Sequence, residues 1–229
     1  MEPQPTSLSA VVRSDIIHVD GVTKFSPNRR FATLFSEGSP SDTIFFLETG
    51  LVKIYKRGPD GKEIILQILG ANEIFGEQAL GSGATPLVSA EVLLEGIIHV
   101  IPRDLFVSYC DQRQELWKQV AELLTSRKRE LEKKIELLCL RDVEYRILYY
   151  LAELAVSFGS KIDDREYAIP LSQGALASLI GATRETTSTT LNALARRGLL
   201  RLGRRQLIVP SLDVVLTAVN DHGSRAARA

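Results

Sequence analysis

Residues Leu171–Gly198 read LSQGALASLIGATRETTSTTLNALARRG, and this stretch decides the fold of the C-terminal part of the chain. Ser172 suits the start of a short helix, because its hydroxyl can accept from backbone N–H groups that a helix start leaves unbonded. Leu176, Leu179 and Ile180 give that helix a buried face, and the small Ala177 lets a second helix cross closely. Gly181 stands at the turn, where glycine adopts a positive φ without steric cost. Thr183 caps the second helix. The pattern is helix, glycine turn, helix. At the helical period, Thr187, Thr190, Leu191 and Leu194 share one arc of the second helix. Arg184, Glu185, Ser188, Thr189, Asn192 and Arg196 occupy the opposite arc. An ordinary solvent face carries many Lys and Glu, whereas this one carries Arg and short hydrogen-bonding groups. Those are the donors and acceptors that read base edges: Arg clamps guanine O6/N7, and Glu accepts from cytosine N4.

Working outward, Leu199–Val209 contains two β-like stretches, Leu199–Leu202 and Gln206–Val209. Arg201, Arg204 and Arg205 surround Gly203 at the expected hairpin tip. An Arg-rich tip suits phosphate contacts, which fix register on a duplex without reading sequence. Charge follows the same division. The whole chain has 28 Lys/Arg against 28 Asp/Glu, a net charge of zero. Residues 1–139 hold 16 Lys/Arg and 19 Asp/Glu, net −3, and residues 140–229 hold 12 and 9, net +3. Thr183–Pro210 carries six Arg and one acid, net +5, a local sign asymmetry that fits an anion-binding surface. Upstream, Asp142 is placed to cap an amphipathic helix Val143–Phe158, with Gly159 at its C-terminal end. A charged loop Lys161–Glu166, a strand Tyr167–Pro170 and a last helix after Ser211 complete this part.

The run Gly181-Ala182-Thr183-Arg184-Glu185-Thr186-Thr187-Ser188 is similar to the G-x-[ST]-R-E-T-[VIT]-[GS] recognition-helix motif of Crp/Fnr transcription regulators. The resemblance implies a homodimer that binds double-stranded DNA at an inverted repeat of TGTGA-like boxes. It also implies RNA polymerase as a partner. Thr183, Arg184, Glu185, Ser188, Thr189, Asn192, Arg201, Arg204 and Arg205 are then the DNA-binding residues. The family usually places a second DNA-reading Arg where this chain has Thr189, so one half-site position is expected to be loosely specified.

Residues 111–139 read as one long helix, about 43 Å in length. Val120, Leu124, Arg127, Leu131, Lys134 and Leu138 follow a 4-3-4-3-4 spacing, the mark of a coiled-coil seam. Leu116, Leu123, Ile135 and Leu137 add apolar surface beside it, while Arg127 and Lys134 interrupt it. A helix of that length outruns a small β-barrel and leaves apolar surface bare. The expected dimer seam is therefore Leu116, Val120, Leu123, Leu124, Arg127, Leu131 and Leu138. Asp104 is expected to cap a short helix just before it.

From Lys24 to Pro102 the signals are β. Short apolar runs, Phe31–Phe35, Thr43–Glu48, Leu51–Tyr55 and Glu63–Leu69, are separated by turn residues such as Gly38, Gly50, Gly58-Pro59-Asp60-Gly61 and Gly70-Ala71-Asn72. These runs match the strand pattern of the family's cyclic-nucleotide-binding fold. The implied fold class is α+β: an N-terminal double-stranded β-helix (a jelly-roll-like β-roll), a long dimerisation helix and a C-terminal winged helix-turn-helix. The expected divisions are a flexible arm over 1–15, an effector domain over 16–110, the dimerisation helix over 111–139 and the DNA-binding domain over 140–229.

Nucleotide binders of this fold carry a phosphate cassette, F-G-E-x-[AG]-L followed by P-R-[ST/A]-A. Here Phe75-Gly76-Glu77-Gln78-Ala79-Leu80 keeps the first half. The second half reads Thr85-Pro86-Leu87-Val88-Ser89-Ala90, with Leu87 where the phosphate Arg belongs. A buried phosphate without a cation is poorly compensated. Leu131 and Glu132 stand where the family places a polar pair that reads the purine. The candidate effector pocket is Gly76, Glu77, Gln78, Leu87, Val88, Ser89 and Leu131. Cyclic AMP is disfavoured, no cofactor is identified, and Gly76 with Glu77 reads as a retained structural turn.

Other chemistries find little purchase. Two cysteines, Cys110 and Cys139, cannot supply the four ligands an iron–sulfur cluster needs. If both lay on one continuous helix they would sit roughly 43 Å apart, far beyond the ~7 Å reach of a disulfide. His18, His99 and Cys110 qualify as haem ligands by residue type only, and His99 reads as a packed strand residue. Cys139 near the end of the seam could face its symmetry mate. The sequence shows no nucleophile motif, metal-ligand spacing or P-loop, so an enzyme is not expected. No secretory or membrane-spanning pattern is present, and a cytoplasmic protein is expected. The alternative reading is a cyclic-nucleotide-type module that regulates a protein partner through its long helix. The Arg-rich helix-turn-helix argues against it.

Overall fold

The computed structural model describes residues 7–27, 30–81 and 85–226. The chain divides into two compact units, Met1–Lys56 with Leu66–Glu132, and Arg57–Ile65 with Lys133–Ala229. No helix among the described residues is long and apolar enough to cross a membrane.

The first unit opens with helix α1 (Leu8–Ser14), capped by the Ser7 hydroxyl on the Ala10 N–H, and a 3-10 turn over Ile16–His18. Six strands follow: β1 (Thr23–Phe25), β2 (Thr33–Phe35), β3 (Thr43–Arg57), β4 (Glu63–Leu69), β5 (Glu73–Phe75) and β6 (Ser89–Pro102). They form one sheet in the order β1-β6-β3-β4, with β2 paired to β6 and β5 to β3. β3 and β6 are the frame, antiparallel from Thr43↔Pro102 to Tyr55↔Ser89. Both faces of β3 are buried, and its period of two separates two cores. Ile44 and Phe46 enter one cluster with Ile74, Ile101 and residues of α1, while Phe45 and Leu47 enter the other with Phe35, Val52, Leu69, Phe75 and Ile98. The second cluster is the interior of the roll, where the Phe45 and Phe75 rings stack at 5.0 Å between centroids. Helix α2 (Arg103–Gln112) and the start of helix α3 (Glu115–Leu140) close the first cluster with Phe106, Cys110, Leu116 and Val120.

The second unit takes the end of α3 and adds α4 (Val143–Phe158), β7 (Ser160–Lys161), β8 (Tyr167–Ile169), α5 (Gln173–Ile180), α6 (Arg184–Arg196), β9 (Arg201–Gly203), β10 (Gln206–Val209) and α7 (Leu212–Ala226). Its four strands run β7-β8-β10-β9. α4 is the central helix. Ile147, Leu148, Leu151, Leu154 and Ala155 bury its apolar stripe, and Asp142 caps it by accepting from the Tyr145 N–H at 2.9 Å. Its C-terminal cap is Gly159, where a Cβ would lie 2.3 Å from the Ala155 carbonyl oxygen.

Several expectations need correcting. Residues 8–14, assigned to a flexible arm, form α1 and bury Leu8, Val11 and Val12; residues 1–6 of that arm lie outside the described residues. Thr43–Glu48 and Leu51–Tyr55 are one strand, since Gly50 (φ +101) makes an irregularity in the β3–β6 register instead of a turn. Its close approach explains this: a Cβ at Gly50 would meet the Leu94 carbonyl oxygen at 2.7 Å. The long helix starts at Glu115, because residues 111–112 finish α2. Asp104 lies in the first turn of α2 and Pro102 occupies the cap. Cys110 therefore lies in the last turn of α2 and Cys139 on α3, so the single-helix separation does not apply; both are free thiols.

The seam changes most. Leu116 and Val120 are buried in their own unit, with Leu123 packed beside them. Arg127 is buried against Glu73, and Lys134 is buried in the second unit. The large apolar residues α3 leaves bare are Leu124, 46% exposed, Leu131, 39%, Ile135, 61%, and the terminal Leu140, 72%. Leu138 is half-buried.

Candidate functional site

The helix-turn-helix is assembled by local caps. The Ser172 hydroxyl accepts from the Ala175 N–H at 3.1 Å, and that of Thr183 from the Thr186 N–H, also at 3.1 Å. Between the two helices Gly181 adopts φ +64. The left-handed φ favours glycine, and a Cβ would lie 2.7 Å from Leu138 Cδ2, a side-chain end that would have to shift. Carbonyls at the end of α5 lack helical partners, and two cations supply them. Lys134 Nζ donates to the Leu179 carbonyl at 2.6 Å and Arg146 Nη1 to the Ile180 carbonyl at 2.7 Å. Burial pushes the Lys134 amine down to about 8, opposed by Glu153 and reinforced by Arg146.

α6 buries Thr187, Leu191 and Leu194. Thr187 satisfies its hydroxyl within the helix, donating to the Thr183 carbonyl at 2.8 Å. Thr190, placed by periodicity on the same arc, is half-buried and donates to the Thr186 carbonyl. The opposite arc presents Arg184, Glu185, Thr189, Asn192 and Arg196 to solvent, with Ser188 half-buried; Thr183 at the cap is exposed. The Arg184 guanidinium lies along Gly174 of α5, where a Cβ would be in ordinary van der Waals contact with it.

The wing is the β9–β10 hairpin, paired from Gly203↔Gln206 to Arg201↔Ile208. Its tip is Arg204-Arg205, not Gly203, and the positive φ of +60 falls on Arg205. Arg201 is held by Glu166 at 2.6 Å and Arg197 by Glu144. Arg184, Arg196, Arg204 and Arg205 form no ion pair among the described residues and are all exposed. Four uncompensated guanidiniums on one helix face and one hairpin tip form a surface for a polyanion.

Comparisons with known proteins agree. Residues 28–113 match the cyclic nucleotide-binding domain model and residues 145–214 the Crp-like helix-turn-helix domain model. The CRP-like cAMP-activated global transcriptional regulator of Mycobacterium tuberculosis is 32% identical over 178 residues, 77% of this chain and 80% of that protein. The chain belongs to the Crp/Fnr family of transcription regulators. The global nitrogen regulator of Synechococcus elongatus is 28% identical over 183 residues, 79% of this chain and 82% of that protein. Among solved structures, a CRP-family transcriptional regulator from Thermus thermophilus superposes with a TM-score of 0.74 at 25% identity, covering 86% of this chain and 96% of that one. As a Crp/Fnr-type regulator this chain is a DNA-binding protein of a family of transcription regulators.

In this Crp/Fnr chain the effector-pocket residues do not all come together. Gly76, Glu77, Gln78, Val88 and Leu131 line one cavity of about 140 Å³, with Phe35, Ile54, Leu66, Gln67, Leu69, Phe75 and Arg127. Leu87 is 73% exposed and is not among the lining residues. Ser89 also lies outside the lining, in β6 opposite Tyr55, where its hydroxyl accepts from the Glu37 N–H. Gly76 is a structural necessity at φ +85, since a Cβ would lie 2.7 Å from the Thr43 carbonyl oxygen.

Among the described residues the cation lining the cavity is Arg127, which the heptad spacing assigns to the dimer seam. Arg127 Nη2 donates to Glu73 at 2.7 Å and Nη1 to Glu130 at 3.3 Å. Burial works against its charge, but Glu73, then Glu130 and Glu77, outweigh this and raise it above the ordinary arginine value. Its signal in the sequence was a polar residue at an apolar spacing. Lys134 carries the same signal. Haem ligation by His99 finds no support in its surroundings, for its Nε2 lies 2.8 Å from Glu48 and the ring is buried. Cys110 is buried in the core and its thiol is pushed up to about 11 by burial, with Asp111 adding to the effect.

Proposed function

We propose that this Crp/Fnr regulator binds an inverted-repeat operator as a homodimer, with α6 reading each half-site and the wing holding phosphates. The exposed α6 arc, with its unpaired Arg184 beside Glu185, carries this reading. It offers one guanidinium for guanine and one carboxylate for cytosine at the start of a helix that can enter a major groove. The bare residues Leu124, Leu131 and Ile135 of α3 supply apolar surface for a second copy. RNA polymerase is the further partner that family membership suggests, and a cytoplasmic location follows from action on DNA. Selection from a randomised operator library is the test. Recovery of no dyad-symmetric site, or of none with a TGTGA-like half, would overturn it.

The effector reading is that cyclic AMP is not bound in the usual way. The M. tuberculosis relative is described as cAMP-activated. In this chain the cassette's cation is replaced by the outward-facing Leu87, and Arg127 is already neutralised by Glu73 and Glu130. Titration calorimetry should give no dissociation constant at micromolar or below.

A further inference from the structure

We infer that Glu166 is a positioning residue for DNA binding: it holds Arg201 off the phosphates and so limits the affinity of the wing for any duplex, whatever its sequence. Reach, the build of the carboxylate and the cost of exchange lead there.

Arg201 is within reach of a phosphate backbone. The hairpin rungs are Gly203↔Gln206, Leu202↔Leu207 and Arg201↔Ile208. Arg201 thus lies two residues behind the rung at the tip, about 7 Å along the strand. Its side chain is 59% exposed and long enough to follow a backbone that Arg204 and Arg205 engage.

The carboxylate that holds it is built into the sheet. Ile208 pairs with Arg201 on one side and with Ala168 on the other. Glu166 stands two residues before Ala168, so the period of two puts both charged side chains on one face. They meet across Ile208 at 2.6 Å. The Glu166 backbone is clamped at both ends. Its N–H donates to Asp163 Oδ1 at 2.8 Å, and its carbonyl accepts from the Ile162 N–H at 2.9 Å. Asp163 Oδ1 also accepts from the Arg165 N–H at 2.9 Å. The Glu166 side chain is only 14% exposed. A carboxylate already ordered by its own loop loses little further freedom on pairing, unlike the two mobile partners of an ordinary surface pair.

Exchange is therefore unfavourable. To bind a phosphate, Arg201 would leave a largely buried carboxylate without its cation and bring the DNA's like charge towards it. Arg204 and Arg205 face no such exchange. Glu166 withholds one cation per protomer from the counterion release that drives sequence-independent binding. The inference rests on the reading of this unit as an operator binder. That reading is judged on the wild type and its selected site, and this one on the salt slope with random duplex, so the two fail separately.

The test is fluorescence anisotropy on the full-length protein, with a selected operator and a random-sequence duplex at several salt concentrations. Glu166→Gln should tighten binding to both duplexes, by roughly fivefold or more at about 0.1 M salt, and steepen the salt slope by about one per protomer. Glu166→Gln/Arg201→Gln should return the slope to the wild-type value, because the released cation is gone. Asp164→Asn removes the same charge from the same loop, at an exposed residue with no ion pair among the described residues, and should leave the slope unchanged. Arg201→Gln alone probes the pair with Glu166 intact and should also leave the slope nearly unchanged. An unchanged slope or weaker binding in Glu166→Gln would overturn the inference, the latter by showing that the pair holds the wing in place for DNA. So would a gain that survives in the double variant, an equal gain in Asp164→Asn, or a full unit of slope lost in Arg201→Gln.

Discussion

Lys134, on the helix whose spacing suggests a dimer seam, points its ammonium at the carbonyl oxygen of Leu179, 2.6 Å away at the end of the first helix of the DNA-reading motif. The Tyr150 hydroxyl lies 3.4 Å from the same nitrogen. α3 thus anchors the helix-turn-helix with a buried cation, and Leu138, one turn on, packs on the Gly181 turn. Lys134→Met should therefore loosen the motif. DNA affinity should fall by roughly tenfold or more, given that a charged hydrogen bond contributes about 1.5–3 kcal/mol. Fluorescence anisotropy on an operator duplex measures it, and unchanged affinity would mean the anchor is dispensable.

The same residue gives a pH dependence. Burial lowers the Lys134 amine from 10.5 to about 8 in the folded chain. Between those values the unfolded chain holds a proton that the folded chain has released, so stability rises with pH there. Below about 8 both states are protonated and the cost of burying the charge is felt in full. The urea midpoint should increase between pH 8 and 10.5, and Lys134→Met should remove that part of the increase. A wild-type and variant with parallel pH profiles would refute the assignment.

Arg127 supports a second stability prediction. Arg127→Met leaves Glu73 without its cation, and Glu73 is only about a third exposed. Removing one partner of a fully buried pair costs about 3–5 kcal/mol, and partial exposure of Glu73 should reduce this to roughly 1–3 kcal/mol. The double variant Arg127→Met/Glu73→Gln should recover part of the loss. Association should not change, because the side chain faces its own unit. Urea denaturation and sedimentation together check both halves.

Local chemistry made much of this molecule legible in the sequence. Ser172, Thr183 and Asp142 cap helices because a short oxygen-bearing side chain next to a helix start needs no tertiary help. Gly181 marks a turn for the same reason. What stayed hidden depends on residues far apart in the chain. Arg127 and Lys134 fit a heptad, and only the fold brings Glu73 to the one and Leu179 to the other. Gly50 looks like a turn residue in isolation, yet the close passage of the Leu94 carbonyl keeps the strand running through it. Leu87 aligns with a phosphate-binding position, but its side chain faces solvent, and the cavity takes its cation from α3 instead.

Association should run through the bare residues of α3. Leu124→Arg or Ile135→Asp would bury an unpaired charge in the contact, at a cost of several kcal/mol, so dimer dissociation should strengthen by roughly a hundredfold or more. Leu116→Ala and Val120→Ala should instead destabilise the first unit without that effect, because both side chains are in its core. Sedimentation equilibrium separates the two classes. A monomeric wild type at micromolar concentration, or unchanged association in Leu124→Arg and Ile135→Asp, would rule the surface out.

The arginines of the second unit should fall into three classes. Arg184 stands at the start of the exposed arc of α6, and the proposed function has it clamp a guanine. Arg184→Ala should cost roughly 1–3 kcal/mol and relax the preference at one base pair. Arg204 and Arg205 form the hairpin tip and have no carboxylate partner among the described residues. Arg204→Ala should weaken binding to all sequences alike and lower the salt slope by about one. Arg205 holds a left-handed φ of +60, so Arg205→Gly is the cleaner variant, losing the charge while easing the backbone. Arg201, although in the same hairpin, is tied to Glu166. Its charge is already spent, and Arg201→Ala should change the salt slope by much less. Thr189 is too short for a guanine fork, so one half-site position should be weakly specified in the selected operators. Titration of all four variants on a selected operator and on random duplex, at several salt concentrations, sorts them. Equal sequence preference in wild type and Arg184→Ala would mean that this arc of α6 does not face the bases.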